Sequence, residues 1–215
     1  MDFRNAKELL KVCQEQNLSI SAVMLQRELT EGEQDPEETD RKMDRVLEIM
    51  KSAASTPIHT PVKSMGGLIG GEAKKISDHK DAGKGLCGDL LERAVIYAMA
   101  TLETNASMGV IVASPTAGSA GIVPGLLLAL QETYDLSDEQ IKQGLYNASA
   151  IGYLAMRNAT VAGAVGGCQA EVGIASAMAA SATVELMGGS PEQSLAAAST
   201  VLMNMLGLVC DPVGG

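Results

Sequence analysis

Aromatic side chains are almost missing from this sequence: one Phe, four Tyr and no Trp in 215 residues. That removes the stacking surface a nucleic-acid binder would use, and a formal net charge of −10 removes the positive face that phosphates require. Nucleic acid is therefore excluded as a partner. Histidine is as scarce, with His59 and His79 the only two, both in the charged, loop-rich part of the chain. Cysteine occurs at 13, 87, 168 and 210 with no tight spacing, which argues against a disulfide framework. A secretory h-region is also lacking, because Met1-Asp-Phe-Arg-Asn-Ala-Lys-Glu8 carries charges where such a segment is apolar. The expectation is a cytoplasmic protein with reduced thiols. No run alternates as a half-buried strand would, so the predicted fold is all-α.

Charge is distributed unevenly: of 42 charged side chains only 11 lie after Arg93. The first part reads as a solvated helical region, especially residues 1–55, and the second as an Ala-, Gly- and Met-rich core. Ser107–Leu130 is uncharged over 24 residues, long enough to span a bilayer. Pro115, Pro124 and several small polar groups interrupt it, however, and the later uncharged stretches are rich in Ala, Ser and Gly rather than Leu and Ile. A buried helical core is expected rather than a membrane protein.

Two short amphipathic helices are predicted over 5–16 and 19–30, followed by an acidic hinge over 31–40. A helix over 36–52 places Met43, Val46, Leu47 and Met50 on one face. A Pro- and Gly-rich loop over 56–71 precedes a helix over 89–104, with Leu91, Ala94, Val95, Ala98 and Leu102 on its buried side. Further helix starts are signed by Ser137 with Gln140 and by Ser190-Pro-Glu-Gln193. Ser114-Pro-Thr-Ala-Gly-Ser-Ala-Gly121 opens a helix through Leu126–Leu130. Free N–H groups at such a start can hold a carboxylate or phosphate, and the same loop can equally be a close packing turn. It is not a P-loop, since no Gly-Lys-Ser/Thr follows.

Cys13 and Cys87 suit the ordinary role of a small buried hydrophobe. Cys168 differs in context, following Gly166-Gly167 and preceding Gln169 and Glu171. Glu171 is the only charge in Asn158–Val184, so its carboxylate must be paired, protonated or turned toward a ligand.

Six segments in order resemble the α (catalytic) subunit of the iron–sulfur-dependent bacterial L-serine dehydratases. They are Gly66-Gly-Leu-Ile-Gly-Gly-Glu-Ala-Lys74, Asn105-Ala-Ser-Met-Gly109, Ser114-Pro-Thr-Ala-Gly-Ser-Ala-Gly-Ile-Val-Pro124, Gly167-Cys-Gln-Ala-Glu-Val-Gly173, Gly189-Ser-Pro-Glu-Gln193 and Leu206-Gly-Leu-Val-Cys-Asp-Pro-Val213. The resemblance implies a single all-helical catalytic domain over 1–215 whose C-terminal end is missing. It implies a [4Fe-4S] cluster held by three cysteines, with Cys168 and Cys210 at the first two ligand positions. The third position would lie beyond Gly215, so the cluster is expected to be absent or incomplete and residues around Cys210 misplaced without iron. No pyridoxal phosphate is implied.

The implied reaction converts L-serine to pyruvate and ammonia, an open iron acting as Lewis acid on the hydroxyl and a general base removing the α-proton. Ser114, Thr116, Gly118 and Ser119 would then bind the substrate carboxylate. Asn105 and Asn158 would hydrogen-bond substrate or cluster, or else cap helices and turns. Glu171 would orient the substrate ammonium or serve as a structural carboxylate. Ser64 is a weaker candidate, in a loop where Gly66 stands in place of a serine common in relatives. His59 is a weak candidate for the base, which can also reside on the β subunit implied as partner. A homo-oligomer is possible too. Two other readings share these residues: a cluster-dependent lyase acting on L-cysteine or L-threonine, and an acidic helical binding module whose cysteines only fill the core.

Overall fold

The computed structural model describes residues 2–32 and 34–208, which form ten helices and, among the described residues, no strand. The fold is all-α. In chain order the helices are α1 (Ala6–Gln16), α2 (Ile20–Glu31), α3 (Pro36–His59), α4 (Glu72–Asp81), α5 (Asp89–Ala106), α6 (Ile122–Tyr134), α7 (Asp138–Asn158), α8 (Gly163–Gly166), α9 (Cys168–Leu186) and α10 (Pro191–Met205). None of the described helices is long and apolar enough to cross a membrane. Two compact units can be distinguished, one of Met1–Asp44 with Glu139–Gly215 and one of Arg45–Asp138.

The first unit is closed by local caps and a dense apolar cluster. Asn5 begins α1 by accepting the Glu8 N–H at 3.0 Å, and Ser19 does the same for Ala22 at 3.2 Å. The capping box read from Ser190-Pro-Glu-Gln193 is present at the start of α10, both reciprocal bonds included. Phe3, Leu9, Cys13, Ile20, Val23 and Met24 pack with Tyr146 and Ala150 of α7. α9 and α10 contribute mainly alanines to the interior, among them Ala175, Ala179, Ala182 and Ala198. Small side chains bury little area each, so they gain through close backbone approach and contact density.

Two charges of this unit, half-buried Glu185 and buried Lys142, are matched. Glu185 accepts the Ile20 N–H at 3.0 Å and the Asn147 amide at 2.7 Å, placing a carboxylate on the positive end of α2. Lys142 reaches Asp40, Asp44 and Glu139 at 2.6, 2.9 and 3.0 Å. Those bonds, Asp40's foremost, hold its ammonium well above the usual lysine range.

In the second unit, α5 and α6 approach so closely that only glycine fits on α6. A Cβ on Gly121 would lie 2.5 Å from the Ala98 carbonyl oxygen, and one on Gly125 would lie 2.8 Å from that of Ala94. This contact changes the predicted face of α5. Ala94 and Ala98 do meet α6, but Leu91 and Val95 are 53% and 42% exposed, while Ile96, Ala100, Thr101 and Glu103 are buried. The interface is marked by small residues rather than by the large ones that periodicity weights most.

α3 places Leu47 and Met50 in the core as its pattern predicted, yet runs to His59 rather than Ser52. Pro57 lies inside it and leaves the Ala53 carbonyl without its usual N–H. The Thr104 hydroxyl donates to that carbonyl at 2.9 Å instead, so the helix continues. α4 lies where no helix was predicted, because Glu72–Asp81 is nearly all polar and its N-cap, Gly71, has no side chain. Cys87 is exposed, contrary to the expected buried role. Its loop offers three glycines and no apolar face to cover it.

Candidate functional site

The candidate residues fall in three segments. The first is Ser64–Gly71, which closes on itself. The Ser64 N–H donates to the Ile69 carbonyl at 2.8 Å, and the Ile69 N–H donates to Ser64 Oγ at 3.1 Å. Ser64 is half-buried and already engaged within its loop. Gly70 has φ +144, and a Cβ there would sit 2.1 Å from the Val62 carbonyl oxygen. His59, the weak candidate for a base, is exposed on the last turn of α3, and His79 is exposed in α4.

The second segment is Ser114–Gly121, entering α6 through a cis Ser114–Pro115 bond. Ser114 and Ser119 are buried, Thr116 is half-buried and Gly118 is exposed. Ser119 Oγ donates to the Ser114 carbonyl at 3.3 Å and lies 3.2 Å from Thr116 Oγ1. Asn105, from the end of α5, donates its amide to the Ala117 carbonyl at 3.1 Å. The structure thus gathers Asn105, Ser114, Thr116 and Ser119 around one loop. The Ser114 hydroxyl is buried with no hydrogen-bond partner among the described residues. Other unsatisfied buried atoms, on Asn147, Ser181 and Ser194, belong to regular helices; Ser114 alone of the four belongs to a glycine-rich loop. Gly121, the N-cap of α6, offers no side-chain cap.

The third segment, in the other unit, surrounds the start of α9. Gly167 turns the chain at φ +80, and Cys168 follows as the exposed first residue of the helix. Glu171 is half-buried one turn on, and a Cβ on Gly163 would lie 2.6 Å from its carboxyl carbon. Gly163 is therefore what lets that carboxylate lie against the α8 backbone. A cavity of about 460 Å³ opens beside this turn, lined by Thr160, Gly166, Gln169, Ile174 and Leu202 among others. Asn158 is engaged in framing the fold, its amide donating to the Arg4 and Leu154 carbonyls, both at 2.8 Å.

Cys210 lies outside the described residues, as does the rest of the 209–215 tail. Among the described residues no three His, Cys, Asp or Glu side chains converge as a metal site. An iron–sulfur cluster needs several thiolates, and of the proposed ligands the described residues supply only Cys168. Its exposure and helix-end position fit one such ligand. Cys13 does not, because burial in the core, with Glu185 and Glu192 nearby, pushes its thiol up to about 11. One buried carboxylate escaped sequence reading: Glu103 accepts the N–H groups of Gly71 at 3.1 Å and Ala73 at 2.8 Å. The only sequence signal was a lone charge between Leu102 and Thr104.

Fold and loops together define a helical protein with two glycine-rich loop sites and an exposed cysteine at a helix start. The chain belongs to the serine dehydratase alpha chain family, whose model matches residues 15–215. It is 48% identical over 213 residues to the probable L-serine dehydratase alpha chain of Bacillus subtilis, covering 99% of this chain and 71% of that one. It is 43% identical to the L-serine dehydratase alpha chain of Peptoniphilus asaccharolyticus, covering 99% and 73%. It is 38% identical to the L-serine dehydratase of Streptomyces coelicolor, where it spans 99% of itself and 47% of that protein.

Proposed function

We propose that this chain is the α subunit of an L-serine ammonia-lyase and acts in the cytoplasm with a β subunit. The observation that carries the reading is the 48% identity to an alpha chain of that name over nearly the whole of this sequence. The unsatisfied Ser114 hydroxyl gives the reading a location.

A serine carboxylate brought to Ser114–Gly121 would accept a hydrogen bond from the Ser114 hydroxyl, which has no partner among the described residues to give up. Thr116 and Ser119 add hydroxyls beside it, and Asn105 fixes the loop through the Ala117 carbonyl. Such preorganised donors lower the cost of holding the substrate in a reactive pose. In the other unit, no ion pair or hydrogen bond from a described residue satisfies the Glu171 carboxylate, which leaves it open to a cationic group. Cys168 and Cys210 are assigned as two thiolate ligands of an iron–sulfur cluster. When bound, that cluster supplies Lewis acidity for departure of the β-hydroxyl. Loss of the α-proton and of the β-hydroxyl, together one water, leaves an enamine, which tautomerises to an imine and is hydrolysed to pyruvate and ammonia. The base that takes the proton is assigned to the β subunit, because both histidines here are exposed on α3 and α4.

The test compares wild type and Ser114→Ala in the assembled, anaerobically reconstituted enzyme, with L-serine, L-threonine and L-cysteine as substrates. Wild type should make pyruvate from L-serine. The variant should fold normally with KM raised about tenfold, because one hydrogen bond to a charged group is lost. An unchanged KM would displace the carboxylate site from this loop, and preferred turnover of L-threonine or L-cysteine would replace the substrate.

A further inference from the structure

We infer that Glu103 is a positioning residue, and that the last turn of α5 sets the two glycine-rich loops of the second unit in one frame. The inference rests on the reading of Ser114–Gly121 as the substrate loop. Glu103 is 1% exposed and forms no ion pair with a described residue. A buried carboxylate in that condition is retained only where several donors converge on it. Here the donors are the Gly71 and Ala73 N–H groups at the start of α4, and the Glu72 side chain also lies within hydrogen-bond reach. Because Gly71 has no side chain, Glu103 caps α4 from a different helix, with its charge at the positive end of that helix. The neighbouring Gly70 N–H goes to Glu72 at 2.6 Å.

The next residues of α5 complete the frame. Thr104 holds α3 through the Ala53 carbonyl. Asn105 holds the Ser114–Gly121 loop through the Ala117 carbonyl, and the Ala106 carbonyl accepts the Met65 N–H at 3.4 Å. Four consecutive residues thus bind α3, α4 and both loops. Gly70, pressed against Val62, leaves the Ser64 loop little slack between its two anchors. Glu103 touches neither Ser64 nor Ser114 through any of these bonds. Its effect passes through the Gly71 and Ala73 amides and through the turn it shares with Asn105.

A glutamine at 103 keeps the size but offers one acceptor where two N–H groups point. The assembled holoenzyme carrying Glu103→Gln should retain wild-type iron and sulfide content, with KM for L-serine raised about tenfold and kcat within about twofold, the pattern of lost uniform binding. Amide exchange should quicken at Gly71 and Ala73 and also in 114–121. Glu103→Asp should recover part of the KM, since charge and both acceptors remain. Should Glu103→Gln fail to fold, Glu103→Asp provides the KM-against-kcat comparison, with a smaller rise in KM expected. Lower thermal stability with unchanged KM, or faster exchange confined to α4, would overturn the inference. A wild-type enzyme inactive on L-serine would contradict the substrate reading instead, leaving the exchange pattern to decide the frame.

Discussion

The chemistry open to a thiol depends on its surroundings, and three cysteines of this chain have three different ones. Cys13 is 2% exposed in an apolar cluster, its thiol pushed up to about 11 by burial and then by Glu185 and Glu192. Cys87 is exposed in a glycine-rich loop, and Cys168 is exposed where α9 begins. Alkylation depends on the thiolate form and on access. Iodoacetamide applied near about pH 8 to the cluster-free protein should therefore modify Cys87 and Cys168 and spare Cys13 until denaturant is added. Mass spectrometry of the peptides reads this directly, and labelling of Cys13 as fast as Cys168 would refute its placement in the core. Sequence distinguished Cys168 from the others by its neighbours but misplaced Cys87. Burial depends on which elements cover a loop, and local composition does not encode that.

Among the helices, the amino-terminal segment is tied to α7 by the Asp2 carboxylate as well as by the Asn158–Arg4 bond and the packing of Phe3. Asp2 accepts Tyr153 Oη–H and an Arg157 N–H, both at 2.9 Å, with Arg27 Nε at 3.3 Å. The Tyr153 bond foremost, with Arg157 and Arg27 assisting, lowers its pKa from 3.8 to about 2. Because the folded value is depressed, the stabilisation is present above the unfolded value and is lost as pH falls from about 4 toward about 2. Urea midpoints of wild type should exceed those of Asp2→Asn at about pH 6 and converge with them near about pH 2. A gap independent of pH would mean that packing of Phe3, rather than this carboxylate, anchors the segment. Elements with side-chain caps or a clear apolar period were legible in the sequence: α1, α2, α10 and the first turns of α3. α4 was not, since its cap comes from Glu103 on another helix. The far end of α3 was not either, since Thr104 supplies the bond that Pro57 cannot.

At the scale of the whole molecule, the residues assigned to chemistry are divided between the two compact units. Ser64, Asn105, Ser114, Thr116 and Ser119 belong to Arg45–Asp138, whereas Asn158, Cys168 and Glu171 belong to the other. Motif order along the chain made the family legible without this division, because each motif is a short local stretch of sequence. The hydrogen bonds that occupy Asn158 and Ser64 were not legible, for they depend on Arg4 and on the closure of the Ser64–Ile69 turn. The central claim is that Cys168 is a cluster ligand of a serine-eliminating enzyme. Its most direct test is the iron content and pyruvate formation of the anaerobically reconstituted α–β enzyme with and without Cys168→Ser. The account predicts that the variant folds with unchanged helicity, loses bound iron and sulfide, and makes no pyruvate from L-serine. Full iron content and undiminished turnover in Cys168→Ser would contradict it.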